Sequence, residues 1–429
     1  MQLFATLRNA WHIKDIRRKI LFTLAMLLVY RLGSFVPVPG IDSGWIRENI
    51  LGSQQGGGLF GLFNVFTGGA LSNFSVFAMG IMPYINASII MQLLQVVIPK
   101  FEEWAKEGAE GRKKLTQVSR YGTIVLALIQ SFGMSMAFRQ AISVSKATNP
   151  TGYYMTLVIM VLSLTAGTAF LMWLGEKITE KGIGNGISMI IFASIISRLP
   201  SSVVQVYALW KAGEITIINI LILLLLAVLV IAGMIYVSEG ERRIPVQYAK
   251  RVIGRKMYGG ASTHIPLKVN QAGVIPVIFS TSLLMLPQTI GQFWDNKVIR
   301  AIARFFSMET WSGNLLAAVL IIFFAYFYTA ITVNPVELAD NMRKNGGFIP
   351  GIRPGRPTSD YISRILNRIT LVGALFLAII VAAQPVLKGV VGMNVGIGGT
   401  SLLIVIGVAL ETMKQIESQM LMRHYKGFM

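Results

Sequence analysis

The side chains that ordinarily carry chemistry are scarce in this sequence and badly placed for it. Its 429 residues include no cysteine, which excludes thiol nucleophiles, disulfides and thiolate metal sites. The three histidines, His12, His264 and His424, lie outside the apolar segments, which excludes a multi-histidine metal site within a membrane. Of the 19 Asp and Glu, none falls near the middle of an apolar segment. Glu176 and Glu180 stand at the inner end of the fourth such segment, and Glu411 at the inner end of the tenth. Proton- and ion-coupled transporters usually carry ionisable groups at mid-depth. The patterns GxxxxGK[ST], HExxH and GxSxG are absent. The expectation is therefore no catalytic residue, no metal and no cofactor: not an enzyme. Near mid-depth the apolar segments carry isoleucine instead, at Ile81, Ile85, Ile187, Ile191, Ile278 and Ile404. Taken singly, each reads as an ordinary lipid-facing or core residue.

The elements that must position these residues are membrane spans. The chain is 54% apolar and 14% charged, against about 25% charged in soluble proteins. A disordered chain or a soluble nucleic-acid binder would be far richer in charge. A span needs about 20 mostly apolar residues. Ten candidates occur, at roughly 20–36, 74–97, 118–138, 153–175, 185–207, 215–237, 271–290, 314–333, 369–387 and 397–413. The net charge is +20, from 39 Lys and Arg, and their placement sets orientation. The segments 1–19, 98–120, 175–185, 238–270, 336–368 and 411–429 hold 29 of them. The alternate segments hold 9, and Arg31 lies in the first span. Both termini are therefore expected on the inner side, and Met1 to Lys19 reads as a basic amphipathic segment without a cleavable signal.

Ten spans divide as five plus five, and an odd number per half puts the halves in opposite orientation, the inverted-repeat layout of many transporters. The expected organisation is an amphipathic cytoplasmic N-terminus (1–19), an N-terminal half (20–207), a C-terminal half (208–413) and a cytoplasmic tail (414–429). The fold class is an all-α membrane protein. Residues 56–72, GGGLFGLFNVFTGGALS, are too short an apolar run to cross. They read either as an interfacial helix or as a re-entrant helix tucked into a cavity, with glycine hinges. Loop 238–270 suggests an extended hairpin, and loop 336–368 has a Gly/Pro-rich tip carrying Arg353 and Arg356. Together these loops hold 13 Lys and Arg. Their charge either serves topology alone or attracts acidic partners such as ribosomal RNA or a motor surface. Composition and topology alone favour an inverted-repeat solute transporter, the commoner class, while the missing mid-membrane carboxylates, the short segment before the second span and the size of the basic inner loops lean toward a protein-conducting channel.

Six stretches resemble the bacterial SecY protein-conducting channel family: FTGGALSNFSVFAMGIMPYINASIIMQLLQ (66–95), GEKITEKGIGNGIS (175–188), ERRIPVQYAKR (241–251), STHIPLKVNQAGVIP (262–276), FIPGIRPGRPT (348–358) and GGTSLLIV (398–405). Their order and spacing agree from about residue 15 to 425. The resemblance implies ten transmembrane helices in two inverted halves. It also implies a pore that passes unfolded polypeptides across the plasma membrane and sideways into lipid. It makes the six isoleucines a pore ring, and an apolar constriction blocks ions by dewetting. It makes 58–72 a plug, with Leu59, Phe60, Leu62, Phe63, Val65, Phe66 and Thr67 filling the outer funnel. It places Asn86, Gln130, Asn270 and Ser282 at or near a lateral gate between the second and third spans and the seventh and eighth. It assigns Arg242, Arg243, Lys250, Arg251, Arg255, Lys256, Arg353 and Arg356 to docking of the SecA motor and the ribosome. SecE and SecG are the implied subunits of a heterotrimer, and signal peptides, nascent chains and membrane lipids the implied ligands.

Overall fold

The longest apolar runs become the longest helices. A computed structural model of the chain describes residues 11–46, 48, 59–143, 149–248, 251–253, 256–258, 262–291, 297–308, 310–383 and 399–426. Each of the ten candidate spans overlaps one helix. These are α1 (Lys14–Gly33), α3 (Met82–Val97), α5 (Ala109–Ala137), α6 (Pro150–Lys181), α7 (Gly186–Lys211), α8 (Ile217–Glu239), α9 (Ile275–Ile290), α11 (Trp311–Thr332), α13 (Arg356–Ala382) and α14 (Gly399–Lys426). Among the described residues, α6, α7, α8, α11, α13 and α14 are long and apolar enough to cross a membrane by themselves. Between these lie the short helices α2 (Leu59–Phe66), α4 (Pro99–Lys106), α10 (Lys297–Phe305) and α12 (Pro335–Lys344).

Helix boundaries follow local chemistry. Asn149 caps α6 by accepting from the Gly152 amide at 2.9 Å, and Asn185 caps α7 by accepting from Ile187 and Ser188. Pro83 and Pro276 sit in the first turns of α3 and α9, where a missing amide costs nothing. Pro99 follows the extended Ile98, and the chain bends by 99° between α3 and α4.

The second candidate span departs from expectation. Hydropathy starts it at residue 74, but 67–81 run as turns and the helix begins only at Met82. Gly68, Gly69, Phe74 and Gly80 all have φ between 41° and 89°, a conformation no helix tolerates. α3 therefore has 16 residues and spans about 24 Å, short of a hydrocarbon core of about 30 Å. α9 has the same length. In the other direction, α13 begins at Arg356, thirteen residues before the apolar run, so part of the 336–368 loop is helix.

Helices pack in sequence order with crossings that close the bundle. α6 packs on α5, α7 and α1; α3 packs on α5 and α9; α9 packs on α11, α11 on α13, and α14 on α8, α7 and α9. The basic loops join on one side. Strand β1 (Glu241–Tyr248) pairs antiparallel with β4 (Ser262–Lys268), from Glu241↔Lys268 to Gln247↔Ser262. The small strands β2 (Arg251–Ile253) and β3 (Lys256–Tyr258) pair within this hairpin, and β5 (Gly347–Phe348) adds to the outer side of β1. Strand alternation turns Ile244 and Val246 inward, where Leu267, Met342, Ile349, Ile362 and Leu366 complete a second core. The extended hairpin expected from sequence is thus joined to the 336–368 segment as one folded cap.

Candidate functional site

The six isoleucines occupy equivalent places on their elements. Ile81 is the residue before α3 and Ile85 lies in its first turn; Ile187 and Ile191 lie in the first two turns of α7. Ile278 lies in the first turn of α9, and Ile404 near the start of α14. Four helix N-termini thus each present isoleucine. All six belong to one continuous apolar core, with Ile187 partly exposed and the others buried. α3 touches α9, α9 touches α14, and α14 touches α7. The remaining gap, between α7 and α3, is spanned at Gly175 of α6. A methyl group there would lie 3.5 Å from Ile187 Cγ1 and 3.6 Å from Ile81 Cδ1. Gly186, at the start of α7, fixes this approach, since a Cβ on it would stand 1.9 Å from the Gly175 carbonyl oxygen. Only glycine lets the two helices meet so closely. Among the described residues no Asp, Glu, His, Lys or Arg side chain is buried, so this interior can exclude water and offers no carboxylate, imidazole or amine to move a proton.

The 59–66 helix is tucked inward. Phe63, Asn64, Val65, Phe66 and Thr67 are buried, and Phe63, Val65 and Phe66 share the isoleucine core. The side chains of Leu59, Phe60 and Leu62 lie outside the described residues, as do 56–58. The C-terminal end of α2 is tied down by polar groups. The Tyr30 hydroxyl donates to the Thr67 carbonyl at 3.0 Å and lies 2.6 Å from Ser194 Oγ. Arg31 donates to the Gly68 carbonyl at 2.7 Å, with its guanidinium 4.7 Å above the Phe35 ring. The Ser72 amide donates to Asn64 Oδ1. Gly68 has φ 63°, and a Cβ there would approach Ser194 Cα to 3.0 Å. Tyr30, Arg31 and Ser194 were not singled out as a site by sequence reasoning. The signal available was a Tyr-Arg pair near the outer end of the first apolar segment.

The four polar residues expected at or near a lateral gate do not form one network. Ser282 of α9, fully buried, donates a weak hydrogen bond to Met82 Sδ of α3 at 3.7 Å. Asn86, one turn further along α3, is buried with its Oδ1 unpartnered. Gln130 is half-buried on α5, which packs against α3 and also touches α9. Asn270 precedes α9 and faces elsewhere, into a cavity of about 350 Å³ lined also by Gln271, Tyr328, Glu411 and Lys414. Its Nδ2 is buried and unpartnered. Among the described residues no hydrogen bond joins any two of these four side chains.

The basic candidates divide by element. Arg242 and Arg243 are exposed on β1, with Arg243 paired to Glu241 at 2.6 Å. Arg251 and Lys256 lie in β2 and β3, of which the backbone alone is described. Lys250 and Arg255 lie outside the described residues. Arg353 and Arg356 are exposed at the turn into α13, whose first turn is fastened by Thr358 Oγ1 donating to the Arg353 carbonyl at 2.9 Å.

The SecY family model matches residues 75–413. A protein translocase subunit SecY of Halalkalibacterium halodurans is 52% identical over 99% of this chain and 100% of its own. That of Bacillus subtilis is 48% identical over the whole of both. Among solved structures, one concerned with the SecY plug domain superposes with a TM-score of 0.67 at 18% identity, over 94% of this chain and 92% of that one. A structure described as a protein-conducting channel gives 0.64 at 16% identity, with the same coverage. At such low identity these structures establish a shared fold.

Proposed function

The chain belongs to the SecY family, and on that premise we propose that it is a protein-conducting channel passing unfolded polypeptides across the plasma membrane and releasing apolar segments into lipid. The observation that carries this reading is the single apolar core in which the six isoleucines and the buried face of α2 meet. An extended chain of any side-chain chemistry can slide through an apolar collar, which offers no strong partner to any residue type. Water and ions gain nothing by entering it.

In this reading Ile81, Ile85, Ile187, Ile191, Ile278 and Ile404 form the resting seal, and α2 with Thr67 is the plug. The α3–α9 contact, held by apolar packing and the weak Ser282–Met82 bond, is the seam that opens sideways. Asn86 and Gln130 flank that seam, and Asn270 sits near its inner end. Polar groups left unpartnered in such a seam keep the closed state only modestly favoured, which suits displacement by a signal peptide. The halves 20–207 and 208–413 face each other across the pore, and both termini lie in the cytoplasm, as the cation distribution requires.

The chain itself supplies no energy source, so transport is driven from outside, by SecA or by a translating ribosome. Arg242, Arg243, Lys250, Arg251, Arg255, Lys256, Arg353 and Arg356 form the docking face for these partners. SecE and SecG complete the assembly. The direct test is reconstitution of the chain with SecE into vesicles, followed by addition of SecA, ATP and an unfolded preprotein. Protease-protected preprotein inside the vesicles is expected, and its absence with an active motor overturns the reading.

A further inference from the structure

The segment 297–305, KVIRAIARF, carries Lys297, Arg300 and Arg304 and no acid. As helix α10 it has three distinct sectors. Ile299 and Ala303, one turn apart, are half-buried and face the bundle; a Cβ on Gly291, at the end of α9, would lie 2.7 Å from Ala303 Cβ. Val298, Ile302 and Phe305 form a second sector and are 64%, 48% and 55% exposed. Lys297 and Arg304 mark the third, also exposed, with Arg300 in register between them. At 100° per residue the centres of the apolar exposed and cationic sectors lie about 130° apart, on either side of the face that meets the bundle, which lets one sit in the acyl boundary and the other among headgroups.

The helix is not free to turn. Buried Gln288 of α9 donates from Nε2 to the Phe306 carbonyl at 2.8 Å. Asn314 of α11 donates to the Met308 and Thr310 carbonyls at 2.6 and 2.9 Å. The apolar sector continues into the exposed stripe of α11, where Trp311 and Leu315 are 73% and 72% exposed. Tryptophan at the start of such a stripe is the usual marker of headgroup depth. We propose that α10 lies in the headgroup layer beside the outer end of α9, with Ile302 and Phe305 immersed and its cationic edge bound to acidic phospholipid.

The lack of native cysteine makes the test direct. Full-length protein carrying the single change I302C or R304C is labelled with a fluorophore. It is then reconstituted in phosphatidylglycerol–phosphatidylethanolamine vesicles. Position 302 is expected to be shielded from aqueous iodide while 304 remains accessible. Headgroup-spin-labelled phosphatidylglycerol should quench the 302 label more than spin-labelled phosphatidylcholine at equal mole fraction, by about fivefold per engaged cation. Adding Lys297→Gln, Arg300→Gln and Arg304→Gln to I302C should bring that ratio close to one while iodide shielding persists. Three results would overturn the proposal: equal iodide access at 302 and 304, shielding without quenching by either lipid (cover by polypeptide), and equal quenching by the two lipids in the unaltered helix.

Discussion

At the scale of single residues, α2 is held by a few polar contacts beside the isoleucine core. Tyr30 is the most consequential of them, since its hydroxyl reaches both the Thr67 carbonyl and Ser194. Tyr30→Phe keeps the ring and removes the donor; the Thr67 carbonyl keeps only the Ala70 amide at 3.2 Å, and the loss of one hydrogen bond costs about 0.5–1.5 kcal/mol. If α2 is the plug, that cost shifts the resting population toward the displaced state. The expected outcome is a higher frequency of brief conductance events in planar bilayers without substrate; an unchanged baseline would remove Tyr30 from the latch. Ile404 tests the seal itself. It is fully buried in the isoleucine core, and a carboxylate there must stay hydrated. Ile404→Asp is expected to make the resting channel leak ions continuously, and a tight bilayer would argue against a dewetted constriction. These residue-scale roles were unevenly legible. The isoleucines carry no chemistry of their own, and only their family positions picked them out. For Tyr30, thirty-seven residues from its acceptor, the adjacent Arg31 was the one local signal, and it does not point to the partner.

At the scale of elements, helix α2 and the Gly175–Gly186 crossing set the geometry. Cysteines at Thr67 and Ser194, with no native thiol to compete, are expected to be joined by a short bis-maleimide in the resting state. Substrate transport should then stop, and failure to join them would place α2 away from α7. Gly186→Ala puts a methyl group 1.9 Å from a carbonyl oxygen. The crossing of α6 and α7 must then spread, which is expected to cost about 1–3 kcal/mol. A lowered thermal unfolding temperature in detergent is the measurement, and an unchanged one would show that the helices yield without strain. The long apolar helices were readable, because long apolar runs have few alternatives, whereas the short α4, α10 and α12 were not. The start of α3 was not, because hydropathy is blind to the positive φ values that hold 67–81 in turns.

At the scale of the whole molecule, function depends on an apolar interior and a basic face belonging to one chain. The hairpin β1–β4 and the 336–368 segment share a core, so the basic positions 242, 243, 353 and 356 ride on a single rigid cap. Arg353 is exposed at its tip. Arg353→Glu is expected to reduce SecA-driven export into vesicles at least tenfold while insertion of ribosome-delivered proteins is largely kept. Equal loss of both would mean a structural defect of the cap, and normal export would exclude Arg353 from motor docking. Raising ionic strength should weaken motor binding to the unaltered chain, since exposed charges are screened within about 10 Å at 0.1 M salt.

Composition and periodicity by themselves determined that the chain is a multi-helix membrane protein and that its charge gathers in alternate loops. Those properties are local: a span needs only enough consecutive apolar residues, and orientation only an excess of nearby cations. Tertiary structure alone decided that four helix N-termini carry their isoleucines into one core, that Tyr30 and Ser194 meet at Thr67, and that β5 joins β1 across about a hundred residues. Such contacts depend on where distant elements cross. Crossing geometry is set by glycine approaches and side-chain packing between elements, and the order of residues along one element does not encode it.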